Sequence, residues 1–76
     1  MQISLDRLCP GKSARVTELS VHEKLKQRLR AFGVIPGALV QCCYRCPGGK
    51  VTALACMDGV LAIRTAELKN IWGICL

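Results

Sequence analysis

Apolar residues along the chain follow two periods, and the change of period marks its elements. Val21, Leu25, Leu29 and Phe32 recur at helical steps on one stripe, while Glu23, Lys26, Gln27 and Arg30 point away from it. This is an amphipathic helix. Elsewhere the period is two: over Ser13–Leu19, Ala14 and Val16 oppose Arg15 and Thr17, and over Ala38–Arg45, Val40, Cys42 and Tyr44 oppose Leu39, Gln41 and Cys43. Lys50–Met57, Val60–Arg64 and Ile71–Cys75 complete a set of about five short strands.

The punctuation between these runs is specific. Ser20 with Glu23 forms a capping box, which starts the helix near Val21. Gly33 supplies a left-handed stop, with Val34 placed to fold back on the last turn. Pro36-Gly37 then predicts a type II turn. Cys46-Pro47-Gly48-Gly49 closes one hairpin, and Asp58-Gly59 is a type I′ candidate for a second. Thr65 is placed to cap a short helical turn, Ala66–Asn70, with Glu67 near its positive end. Short strands, tight turns and one interposed helix predict a mainly β fold, a small SH3-like antiparallel barrel in which closure limits exposed edges.

With 76 residues, the sequence accommodates one domain, residues 1–76, and no separate catalytic unit. At 51% apolar and 21% charged residues, it is too hydrophobic to remain disordered. Eleven Lys and Arg against five Asp and Glu give a net charge of +6, favouring acidic partners. No apolar run is long enough to span a bilayer, and the opening MQISLDRLCPGK has no secretory pattern, so a reducing cytoplasm is expected. The six cysteines then default to free thiols, with Cys9, Cys42, Cys56 and Cys75 expected as small buried hydrophobes.

Candidate chemistry is sparse. Cys43 and Cys46 form one C-x-x-C pair, whereas a structural zinc site usually takes two such pairs. A thiolate metal-binding module would need the fold to bring other ligands to them. A redox role is weaker, because the pair lies at a Gly/Pro loop and not at a helix N-terminus. His22 has no triad partners, and no nucleophile and base pair can be assembled, so an enzyme is not expected. Lys24, Lys26, Arg28 and Arg30 coat two flanks of the helix, and Arg28, at the border of the apolar stripe, is placed to offer its guanidinium to a carboxylate. A basic nucleic-acid-binding barrel is the other alternative, but no aromatic stands among these charges to stack on bases.

Leu5, Leu8, Pro10-Gly11 and Ala14, then Arg28-Leu29, Phe32-Gly33-Val34 and Pro36-Gly37, and finally Ala62-Ile63-Arg64, Glu67-Leu68 and Ile71 together resemble the pattern of the FeoA family. The likeness extends over essentially the whole chain. It implies an SH3-like barrel without catalysis or cofactor, acting in ferrous iron uptake by docking on the cytosolic GTP-binding part of the membrane permease FeoB. On that likeness the partner contact lies on the helix and the turn after it, at Lys24, Arg28, Gly33, Pro36 and Gly37. Cys42, Cys43 and Cys46 depart from the family pattern and match no metal-ligand motif in it. A similar barrel is appended to metal-dependent repressors, but no DNA-binding helix pair precedes it in this sequence.

Overall fold

The computed structural model describes residues 1–76. Six strands, β1 (Gln2–Ser4), β2 (Ser13–Leu19), β3 (Leu39–Arg45), β4 (Val51–Cys56), β5 (Gly59–Arg64) and β6 (Ile71–Cys75), form one antiparallel sheet in the order β1-β6-β2-β3-β4-β5. One helix, α1 (Glu23–Ala31), lies between β2 and β3, and two 3-10 helices, Leu5–Arg7 and Thr65–Asn70, follow β1 and β5. The sheet order leaves β1 and β5 as edges. The second 3-10 helix leaves β5 and packs against β1 and the first 3-10 helix, bridging the two edges into the SH3-like barrel.

Fourteen buried residues make one core cluster. Ala14 and Val16 enter it from β2, Val40 and Cys42 from β3, Leu61 and Ile63 from β5, and Leu25 and Leu29 from α1, as the two periods predict. Val21 and Phe32 are half-buried against this cluster. The 3-10 helix Thr65–Asn70 repeats every three residues, which gives each side chain a partner at i+3. Thr65 and Leu68 therefore share its inner face, Leu68 fully buried, while Ala66 and Lys69 share an outer one.

The stop of α1 is a Schellman motif. Gly33 has φ +81, its N–H donates to the Arg30 carbonyl at 3.0 Å, and the Val34 N–H donates to the Leu29 carbonyl at 2.9 Å. Val34 is fully buried, so the stop also fixes a core contact. The turn after it is type II around Pro36-Gly37, with Gly37 at φ +94 and the Ala38 N–H donating to the Ile35 carbonyl at 2.9 Å.

The helix starts at Glu23 and not near Val21, and its cap is His22, whose Nδ1 accepts from the Leu25 N–H at 3.2 Å. A capping box needs the acid three residues into the helix, and here Glu23 is the first helical residue; Ser20 Oγ instead donates to Glu18 Oε2. The β4–β5 loop is Met57-Asp58, because Cys56 pairs with Gly59, and with no positive φ outside glycine it is not type I′. Thr65 caps nothing: its hydroxyl shares a 2.8 Å hydrogen bond with that of the fully buried Thr52. In β3 a register shift between Cys42 and Tyr44 turns Tyr44 outward, although the period of two puts it beside Val40 and Cys42. Cys9 and Cys75 are exposed, leaving Cys42 buried and Cys56 half-buried. The sixth strand is β1, which pairs with β6 from Gln2 to Ser4.

Candidate functional site

Helix α1 separates two clefts. Along one flank, Lys24 and Arg28 line a cleft with His22, Leu25 and Glu67. Spacing of four puts Lys24 and Arg28 on one flank, and the 3-10 helix supplies the opposite wall. His22 Nε2 lies 3.9 Å from Glu67 Oε2, so the residue that caps α1 also reaches across the cleft. Arg28 Nη2 donates to the Ala62 carbonyl of edge strand β5 at 3.0 Å, tying helix to sheet. The guanidinium thus meets a backbone oxygen of its own chain, and its remaining N–H groups face outward.

The second cleft, about 320 Å³, lies between the end of β2 and the far flank of α1 and is lined by Glu18, Leu19, Lys26, Arg30, Ile35 and Pro36. Lys26 and Arg30, also four apart, form its basic wall, and Ile35 is 45% exposed beside it. The expected contact residues are therefore divided by the fold. Lys24 and Arg28 belong to the first cleft, Pro36 to the second, and Gly33 lies against the Met57-Asp58 loop. Gly37 is held from both sides: its N–H donates to the Val16 carbonyl at 2.7 Å, and its carbonyl accepts from Arg15 Nη1 at 2.9 Å.

The charge distribution is one-sided. His22 with Glu67 is the only ion pair, so all eleven Lys and Arg side chains lack a carboxylate partner within the chain. Exposed cations without internal partners leave a positive field at the surface. Lys50, Arg64 and Lys69 carry no motif in the sequence, yet the fold gathers them around one further cleft.

The thiols are all free and do not converge on a metal site. No group of three or more His, Cys, Asp or Glu is assembled anywhere, so Cys43, exposed, and Cys46, half-buried, gain no third ligand. Burial raises the pKa of the Cys42 thiol from its ordinary 9.0, against the opposing pull of Arg45. Burial likewise pushes Cys56 up to about 11, with Cys43 adding to the rise. Neither is a ready nucleophile at neutral pH. Tyr44 and Trp72, the aromatics available for stacking, line neither cleft beside the helix cations.

A family model described as the FeoA domain matches residues 3–74. Among solved structures, the FeoA protein from Chlorobium tepidum superposes with a TM-score of 0.88 at 26% identity, over 95% of this chain and 70% of that one. An iron uptake regulatory protein (FeoA) superposes with a TM-score of 0.85 at 22% identity over all of both chains. A manganese-dependent transcriptional repressor shares the fold alone, with a TM-score of 0.87 at 13% identity over 99% of this chain and 41% of the repressor. Comparison with curated proteins gives no match.

Fold and match together define a small SH3-like β domain. The chain belongs to the FeoA family. Membership ties it to ferrous iron transport, and no helix in it is long and apolar enough to cross a membrane.

Proposed function

We propose that this chain is a non-enzymatic accessory protein of ferrous iron uptake, acting in the cytoplasm by docking on the GTP-binding part of a FeoB-like permease. The observation that carries the reading is the set of cations on α1 with no carboxylate partner, fixed in place by a helix capped at His22 and stopped at Gly33. A docking surface must be rigid before contact if little affinity is to be lost to ordering. Lys24 and Arg28 on one flank of α1, and Gly33 with the Pro36-Gly37 turn beyond its C-terminus, make the contact. Residues 1–76 act as one domain, which needs no cofactor for this role. Its output is a protein contact that biases the permease between states.

Binding of the intact chain to the cytosolic portion of a FeoB-like permease, measured by calorimetry, tests the proposal. Lys24→Glu should weaken binding about fivefold or more while leaving the melting temperature unchanged, since an exposed cation changes recognition and not the core. Arg28→Glu should weaken binding as well, but it also removes the tie to Ala62, so Lys24→Glu is the cleaner test. Absence of binding, together with unimpaired Fe²⁺ uptake in a deletion strain, would overturn the reading.

A further inference from the structure

The cleft on the other side of the second 3-10 helix carries chemistry that neither family membership nor the docking proposal uses. Its walls are Lys50, from the loop between β3 and β4, Arg64, at the end of β5, and Lys69, on the 3-10 helix. Val51 and Ala66 provide aliphatic surface between them. No carboxylate lines this cleft, and none of the three cations is paired elsewhere.

Their convergence follows from the backbone. Val51 pairs with Arg64 in the β4–β5 ladder, and the Thr65 N–H donates to the Lys50 carbonyl at 2.9 Å, so Lys50, just before β4, is held beside Arg64 at the end of β5. The hydroxyl pair between Thr52 and Thr65 pins the start of the 3-10 helix to β4. The threefold period of that helix then aims Lys69 along the same face as Ala66 and into the cleft, while Leu68 anchors the opposite face in the core. The lone carboxylate of the helix, Glu67, is on the third face and is directed to His22.

Three like charges held around one concavity repel one another, and a multivalent anion relieves that repulsion. A tetrahedral oxyanion matches the set: an Arg guanidinium can donate to two of its oxygens, and two ammonium groups can serve the others as point charges. At about 490 Å³ the cleft has room for more than the anion, and its aliphatic wall suits a small organic group. We propose that the cleft bounded by Lys50, Arg64 and Lys69 is a binding site for a small soluble phosphate monoester.

The test titrates the isotope-labelled intact chain with inorganic phosphate and with glycerol 3-phosphate, at an ionic strength held constant with chloride, following backbone amide shifts. Saturable shifts centred on Lys50, Arg64, Thr65, Ala66 and Lys69 are expected, with glycerol 3-phosphate bound more tightly than phosphate. Arg64→Gln and Lys69→Gln should each raise Kd about fivefold, and Lys12→Gln, which removes an equal charge outside the cleft, should leave Kd within about twofold. All three side chains are exposed, so the variants should keep the dispersed spectrum of the folded chain. Shifts that grow linearly without saturating, an equal loss in Lys12→Gln, or an equal response to chloride would overturn the site. So would binding to phosphatidic acid vesicles with no response to either soluble phosphate.

Discussion

Gly33 and Gly37 both adopt a positive φ, but what surrounds them differs, and replacing each by alanine separates two costs. At Gly37, φ +94, an added Cβ meets nothing within 4 Å. Gly37→Ala should therefore cost only the left-handed penalty, about 1–2 kcal/mol. At Gly33, φ +81, the same atom would lie 3.1 Å from Met57 Cβ and 3.3 Å from Asp58 Oδ2. Met57 Cβ is attached directly to the backbone, so it can withdraw only by shifting the β4–β5 loop, whose Asp58 N–H donates to the Phe32 carbonyl at 3.3 Å. Overpacking of that kind adds about 1–3 kcal/mol, so Gly33→Ala should cost about 2–5 kcal/mol in all. A single small core supplies only about 3–5 kcal/mol, so this is most of the stability expected for a chain of this size. At about 4–8 °C per kcal/mol, the two variants should differ in Tm by about 5 °C or more. Thermal and urea melts followed by circular dichroism would measure both. Equal melting of the two variants would refute the claim that Gly33 is required by the close approach of helix end and loop, and would reduce its role to backbone conformation.

Leu29, fully buried beneath the sheet, should cost about 2–5 kcal/mol when replaced by alanine, and a urea midpoint unchanged by Leu29→Ala would place that side chain outside the core. Thr52→Val leaves the Thr65 hydroxyl without its partner and should cost about 1–2 kcal/mol, whereas Thr52→Val with Thr65→Val should recover most of the loss; additive costs in a double-mutant cycle would contradict the pairing. The Cys56 thiol titrates near 11 in the folded chain against an ordinary 9.0, so the folded state binds more protons than the unfolded between those values. Stability is then whole below pH 9 and falls as pH rises toward 11, and urea midpoints across this window should fall less steeply in Cys56→Ala than in the parent chain. In alkylation at neutral pH, the exposed Cys9, Cys43 and Cys75 should label well before Cys42 and Cys56, and early labelling of Cys56 would show that it is not shielded.

Local signals that fix both a conformation and its place in the chain were legible in the sequence. Gly33 with Val34, and Pro36 with Gly37, each specify a turn within a few residues, and the structure contains both. The strands Ser13–Leu19 and Ile71–Cys75 follow the boundaries of their apolar runs. Less legible were features decided by pairing at a distance. The strand Gln2–Ser4 is too short to show a period and exists because β6 offers it a partner. The irregularity that turns Tyr44 outward is a property of the β3–β4 register and not of either strand alone. His22 takes the cap that Ser20 and Glu23 were positioned to share, a competition between neighbouring side chains that residue types alone do not decide.

The same division applies to the candidate site. The helical period places Lys24 beside Arg28 and Lys26 beside Arg30, so two basic flanks can be read directly. That Arg28 spends one N–H on Ala62, thirty-four residues away, cannot. Lys50, Arg64 and Lys69 are scattered in sequence, and only the β4–β5 ladder and the 3-10 period bring them around one cleft.

Docking through α1 and the turn after it is the central claim, and amide shift mapping on the labelled chain, titrated with the cytosolic portion of a FeoB-like permease, tests it most directly. Perturbations concentrated from Lys24 to Arg28 and at Gly33 and Gly37 are predicted, fading in Lys24→Glu. Perturbations confined to the Cys46–Gly49 loop and the β1 edge, or a spectrum unchanged at saturating permease, would contradict it.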